Sequence, residues 1–383
     1  MLTIPPLTLY IHLPWCIRKC PYCDFNSHAI KNEIPEQDYI NALLADLDND
    51  LPKINGRPLI SIFIGGGTPS LFSPAAIEQL LTAIAKRVSF TKDIEITLEA
   101  NPGTVELARF AGYRTAGVNR LSIGIQSFQA DKLKALGRIH DDNEAIRAAE
   151  TAHAAGFTNF NLDLMHGLPG QTIADALFDL KTAIALNPTH LSWYQLTIEP
   201  NTFFAHQPPV LPKDELMWEI QEQGYELLAN QGFKQYEISA YSQTGKQCIH
   251  NKNYWEFGDY LGIGAGAHSK ITGNKGIERF YKKKNPKDYL NPLPNPLPEY
   301  RERESEKNIN STELPFEFML NALRLYQDIP ITLFEQRTGL SITTITDQLN
   351  QAQEKGLLNW DKNFIKTTEL GKRFYNDLVE IFI

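Results

Sequence analysis

Six short apolar runs, at 7–13, 59–64, 94–98, 120–125, 160–164 and 190–196, are separated by longer stretches with helical periodicity, among them 75–87 and 171–186. Regular alternation of a strand-length run with a helix-length stretch admits few folds. Each strand must lie parallel to the next while the helix crosses back over the sheet, which predicts an α/β fold with a parallel sheet curled into a partial (β/α)6 barrel. The residues that follow the runs are Pro14-Trp-Cys16, Gly65-Gly-Gly-Thr68, Glu99, Gln126 and Asp163. In α/β barrels functional groups come from the carboxyl ends of the strands, so these residues are expected to ring one mouth. Ordinary turn and cap chemistry would also account for any one of them alone.

Of the 383 residues, 42% are hydrophobic and 21% charged, enough to bury a large core and to exclude disorder over most of the chain. One large and one small domain are expected: a barrel over 1–230, a barrel-closing extension and connection over 231–310, and a C-terminal domain over 311–383. The connection is rich in Pro and Asn across 285–313, including Asn291-Pro-Leu-Pro-Asn-Pro-Leu-Pro298. Beyond it, helical patterns at 314–326, 332–338 and 343–355, then a hairpin of 357–360 with 364–367 before a final helix, predict a winged-helix-like α+β domain. Many winged helices read DNA. Here ten acidic against seven basic side chains from Ser311 onward, and a net charge of −8 overall, favour structural or protein-contact use, and no nucleic-acid partner is expected. The opening Met1-Leu-Thr-Ile-Pro-Pro has no basic region before an apolar core, and no apolar run reaches membrane-span length, so a cytoplasmic location is expected.

Three of the four cysteines lie within eight residues, in Cys16-Ile-Arg-Lys-Cys20-Pro-Tyr-Cys23, directly after the first predicted strand. Such crowding suits metal ligation in a reducing compartment better than a disulfide framework. Thiolates are soft anionic ligands suited to iron-sulfur clusters, and three of them leave one iron of a [4Fe-4S] cluster open for a chelating small molecule. The alternatives are a zinc site whose fourth ligand is not visible, and free thiols.

The Cys-x3-Cys-x2-Cys spacing resembles that of the radical SAM family, whose open iron takes the amino and carboxylate groups of S-adenosylmethionine. The resemblance extends along the chain. Gly65-Gly-Gly-Thr-Pro69 is similar to the family's glycine motif and assigns Gly66, Gly67 and Thr68 to S-adenosylmethionine, while Glu99, Gln126, Arg138 and Asp163 fall at further family positions. Their chemistry fits, since carboxylates and an amide can hold ribose hydroxyls and an amino group, and Arg pairs with a carboxylate. Tyr10, Tyr22 and Phe25 flank the cluster and are assigned to the adenine side, with core packing as the alternative.

Within that family the chain resembles the branch related to oxygen-independent coproporphyrinogen III oxidase. The oxidase pattern continues Cys-x3-Cys-x2-Cys-x-Cys, where Phe25 stands here, and includes an extension before the first strand for which nine residues ahead of Tyr10 leave no room. The pattern is instead similar to the haem-chaperone members of the branch, whose His-Asn-x-x-Tyr-Trp signature is present as His250-Asn-Lys-Asn-Tyr254-Trp255. The resemblance implies a [4Fe-4S] cluster, S-adenosylmethionine and haem as cofactors, His250 as haem ligand with Tyr254 and Trp255 against the porphyrin, and delivery of haem to respiratory haemoproteins. A homodimer and a peripheral membrane contact are further partners that it admits. Cys248 is expected to be a buried spectator. The basic run Arg279, Lys282, Lys283, Lys284 and Lys287 is either a solvated loop or a contact for propionates or anionic lipid. The glycine-rich stretch from Gly262 to Ser269 lacks dinucleotide-binding spacing and is expected near the barrel mouth. The alternative function is oxidative decarboxylation of coproporphyrinogen III.

Overall fold

The structure is a computed structural model that describes residues 2–31, 33–104, 106–274, 276–291 and 307–383. Six strands, Leu7–Leu13, Leu59–Gly66, Phe90–Ala100, Arg120–Gln126, Phe160–His166 and His190–Gln195, pair in parallel in chain order. A seventh, Asp259–Ile263, joins in parallel on the other side of the first strand. Antiparallel strands extend both edges: His268–Gly273, Gly276–Tyr281 and Lys307–Asn308 beyond the seventh, and Ala240–Ser242 with Lys234–Glu237 beyond the sixth. Among the described residues the two outermost strands do not pair with each other, so the barrel is partial.

Side-chain alternation gives the strands two different faces. Ile62, Ile64, Ile96, Leu98, Leu121, Ile123, Leu162 and Leu164 are buried in the apolar layer under the helices, each contributing roughly 1.5–3 kcal/mol. The alternate residues Ser61, Glu95, Thr97, Arg120, Ser122, Asn161 and His190 are equally buried but polar, and they hydrogen-bond across strands, as in Asn161 Nδ2 to Ser122 Oγ at 2.8 Å and His190 Nδ1 with Asn161 Oδ1 at 2.7 Å. Polar residues in an enclosed interior require partners, and the neighbouring strands supply them. The crossover helices start on local signals. Ser73 Oγ accepts from Ala76 N at the head of Pro74–Ala85, and capping boxes at Asp141 with Glu144 and Thr172 with Asp175 open Asp142–Ala154 and Ile173–Ala185.

At the start of the seventh strand, fully buried Asp259 accepts from Arg57 NH1 at 2.7 Å, Lys270 Nζ at 3.1 Å and Thr272 N and Oγ1 at 2.8 Å each. Burial pushes Lys270 down to about 8, opposed by Asp259. This cluster ties the seventh strand to its neighbour and to the loop after the first helix, Glu36–Ile54.

The C-terminal region places the helices Leu314–Ala322, Ile331–Thr338 and Thr346–Glu354 against a sheet of Ile329–Pro330, Phe364–Thr367 and Leu358–Trp360. Its own core, around Phe318, Phe334, Leu349 and Ile365, takes in Phe257 and Ile277 from the barrel side. Residues 292–298 of the proline-rich connection lie outside the described residues. Among the described residues, no helix is long and apolar enough to cross a membrane.

Candidate functional site

The loop carrying the cysteines leaves the first strand at Pro14 and is held on both sides. Trp15 and Cys16 pair with His28 and Ala29, and His28 N donates to Pro14 O. Asn26 Nδ2 reaches Ala265 O and Lys284 O at 2.8 Å each, which fixes the loop to the glycine-rich turn. Gly266 is needed there because a Cβ would fall 2.4 Å from Asn26. The stretch from Gly262 to Ser269 thus buttresses the cysteine loop from behind.

The loop closes one side of a cavity of about 310 Å³ at the carboxyl ends of the strands, and the structure brings together there Cys16, Cys20, Cys23, Tyr22, Phe25, Gly66, Gly67, Thr68, Glu99, Gln126, Arg138 and Asp163. The sulfurs are linked by a chain of side chains. Thr68 Oγ1 donates to Cys16 Sγ at 3.5 Å, Asn101 Nδ2 to Thr68 Oγ1 at 2.8 Å, Arg138 NH2 to Asn101 Oδ1 at 2.8 Å, and Arg138 NH1 to Cys20 Sγ at 3.6 Å. Ser27 Oγ lies 3.7 Å from Cys23 Sγ. Burial pushes the Cys16 and Cys23 thiols up, opposed by the hydrogen bonds to their sulfurs from Thr68 and Ser27. Among the described residues, no three side chains of ligating type converge on a single ion. A cuboidal cluster, with one thiolate per iron corner, needs its three sulfurs spread apart.

The cavity wall opposite the loop is acidic. Glu99 is pushed up to about 7, first by burial and then by Asp163, against the hydrogen bond it accepts from Gly66 N at 3.1 Å. Asp163 is raised by burial, opposed by hydrogen bonds including Asn161 Nδ2 at 2.7 Å and Ser122 Oγ at 3.1 Å. The glycine turn has no room for side chains. A Cβ on Gly66, at φ +115°, would fall 2.6 Å from the His12 ring, and one on Gly67 2.5 Å from Trp15 O. Gln126 sits at φ +70° beside a bulge in its strand and accepts from Tyr194 OH at 2.8 Å, a strained backbone of the kind kept at ligand sites. Arg138 retains a buried Nε without a partner among the described residues. Two raised carboxylates, a bare-backbone turn and an orphaned guanidinium N–H suit a ligand with a cationic centre, a carboxylate and hydroxyls, which is the chemistry of S-adenosylmethionine.

Tyr10 and His250 do not reach this cavity. Tyr10 OH bonds His12 Nδ1 at 2.9 Å, and its ring packs against both Phe63 and His250, each centroid at 6.3 Å. His250 opens the helix Ile249–Trp255 at the other end of the barrel, is 8% exposed, and has Nδ1 3.1 Å from Ser61 Oγ. Burial, and then Arg120, push its imidazole down to about 3. Glu95 Oε1 accepts from Ile249 N at 3.0 Å and His250 N at 3.3 Å, and Cys248 Sγ is 3.5 Å away. Asn253 Nδ2 donates to Asp259 O at 2.9 Å. Trp255 stacks under Arg324 at 4.3 Å and Tyr254 on Tyr260 at 4.8 Å. The signature therefore packs the barrel floor. In the basic run, Arg279 is paired with Glu317 at 2.6 Å and Lys282 with Asp46 at 2.6 Å, so only part of it faces solvent.

Asn101, Ser122 and Tyr194 also line the site, beyond the residues expected from the sequence. Asn101 stands two residues after Glu99, in Leu98-Glu-Ala-Asn-Pro102, where its side-chain amide is the available signal. Ser122 and Tyr194 look like ordinary strand residues.

The sequence profile of the Radical SAM superfamily matches residues 10–182, and that of the HemN C-terminal domain matches 309–374. The chain is 53% identical to the heme chaperone HemW of Escherichia coli, with all of both chains covered. It is 54% identical to HemW of Haemophilus influenzae, over 99% of this chain and 98% of the relative, and 33% identical to HemW of Bacillus subtilis, over 98% of each. Among solved structures, the coproporphyrinogen III oxidase HemN of Escherichia coli superposes with a TM-score of 0.82 at 23% identity, over 99% of this chain and 90% of that one. The oxidase likeness shows a shared fold, and full-length identity above one half shows the family. The chain belongs to the radical SAM superfamily and, within it, to the HemW family.

Proposed function

We propose that the chain is a haem chaperone that holds a [4Fe-4S] cluster on Cys16, Cys20 and Cys23, takes S-adenosylmethionine into the adjoining cavity, binds haem, and delivers it to respiratory haemoproteins. The observation that carries this reading is end-to-end similarity to proteins named heme chaperones. When bound, the cluster would supply an open iron and one-electron chemistry. The chain's own residues do the rest. Thr68, Asn101 and Arg138 orient the sulfurs, Gly66 and Gly67 admit a ligand against the backbone, and Glu99 and Asp163 face a cationic centre.

The raised Glu99 gives a pH-dependent prediction. S-adenosylmethionine carries positive charge, so its affinity is expected to rise with pH through about 7 as Glu99 ionises, and Glu99→Gln should weaken binding and flatten the profile. Equilibrium dialysis across that range checks both. For stability the sign is opposite. A carboxyl raised in the fold contributes stability below its unfolded value of 4.5 that is lost as pH rises through about 7.

Haem handling is separated from oxidase chemistry by one anaerobic experiment on cluster-reconstituted protein. The expected result is saturable haem binding and no protoporphyrinogen from coproporphyrinogen III with S-adenosylmethionine and reductant. Sustained turnover to decarboxylated product would move the chain to the enzyme class.

A further inference from the structure

The rim of the cavity is unusually apolar for exposed surface. Ile17, Phe25 and Ile139 line the mouth and are 52%, 62% and 60% exposed, although three such side chains around one opening would ordinarily be buried or polar. Phe203 is 56% exposed at the edge of the same loop, since the adjacent Phe204 N donates to Pro21 O at 3.0 Å. Arg18 lines this rim and its neighbour Lys19 follows it; both are exposed, and among the described residues neither forms an ion pair. Lys19 Nζ is instead 2.9 Å from Phe25 O. An exposed apolar rim with two adjacent cations that have no carboxylate partner among the described residues complements a planar apolar ligand with peripheral carboxylates.

We propose that haem seats across this mouth, its macrocycle against Ile17, Phe25 and Ile139 and its propionates toward Arg18 and Lys19. The inference rests on the haem-chaperone reading above and gives it a location. A cavity of about 310 Å³ is at the small end for ligand pockets, too small to enclose a porphyrin beside a cluster and S-adenosylmethionine. The macrocycle must therefore lie over the opening, and Phe25, standing where the oxidase pattern has a fourth cysteine, extends the apolar face. At the barrel floor His250 Nδ1 is taken up by Ser61 Oγ at 3.1 Å and the ring packs against Phe63 at 5.1 Å with only 8% of the residue exposed, which offers no open apolar face for a macrocycle.

The test is a haem titration, read at the Soret band, of cluster-reconstituted full-length protein and its variants, with iron content measured on each sample. Ile17→Ser with Ile139→Ser is expected to weaken haem binding by about tenfold or more, the order given by uncovering two apolar side chains. Arg18→Glu with Lys19→Glu should weaken it by an amount that shrinks as salt is raised. Ile139→Ser alone, outside the cysteine loop, keeps the test valid if loop variants lose iron. Wild-type affinity in rim variants with full iron content would overturn the location and leave the chaperone reading standing, as would a loss confined to a thermally stable His250→Gln variant. Failure of the wild type itself to bind haem would overturn the chaperone reading.

Discussion

Replacing Cys20 by alanine is expected to abolish the iron-sulfur absorbance and bound iron of anaerobically reconstituted protein. The same should hold for Cys16 and Cys23, because a cluster on three thiolates has no protein ligand to spare. Cys248→Ala should retain both. Cys248 is fully buried at the barrel floor, and burial pushes its thiol up to about 12, where it is neither accessible nor ionised. Asn101→Ala gives an intermediate case. It removes the bridge between Thr68 and Arg138 while leaving every sulfur in place, so cluster content should fall only partly and cluster lifetime in air should shorten. Absorbance and iron per chain check all five variants. Loss of the cluster on removing Cys248, or its retention without Cys20, would contradict the assignment.

Asp259→Ala is expected to cause a large loss of folding stability. Asp259 is the shared acceptor for Arg57 and Lys270 and for both Thr272 donors. Removing it leaves two cations with little solvent access, a situation that typically costs about 3–5 kcal/mol. In a chain of 383 residues, with roughly 2.1 cal/mol/K of unfolding entropy per residue, that is a fall in Tm of roughly 4–6 °C. Asp328→Ala serves as the comparison. Its partner Lys366 is 3.4 Å away but 66% exposed, and such surface pairs are worth only about 0–1 kcal/mol. Thermal denaturation of the two variants side by side should therefore show a clear shift for the first and almost none for the second.

The six parallel strands and their crossover helices were legible because each strand is a local event: an apolar run with helical periodicity on either side. The first strand, Leu7–Leu13, has the predicted limits, and Leu59–Gly66 ends at the expected glycines. The seventh parallel strand was not legible. Asp-Tyr-Leu-Gly-Ile at 259–263 carries an acidic residue and a glycine, and its partner, the first strand, lies some 250 positions away, a pairing that no local pattern encodes. The same limit governs the site. The cysteines announce themselves by spacing, and Glu99, Gln126 and Asp163 by their places toward the carboxyl ends of apolar runs; the structure gathers them at one mouth, within the strands Phe90–Ala100, Arg120–Gln126 and Phe160–His166. His250 carries an equally specific sequence signature, yet spacing reveals neither end of the barrel. The capping of its helix by Glu95 and the bond from His250 to Ser61 depend on strands brought together only by the tertiary fold. Ile17 and Ile139 carry no sequence signal for the opposite reason, since their exposure exists only once the cavity does.

Transfer of haem tests the central claim most directly. Haem-loaded, cluster-reconstituted protein, freed of excess haem, is mixed with the apo form of a respiratory haemoprotein, and haem is followed by separating the two proteins and reading the Soret band of each. The account predicts that haem moves to the acceptor faster than the rate at which it dissociates to a passive haem scavenger. Equal rates to acceptor and scavenger, or retention of haem by the loaded protein, would contradict it.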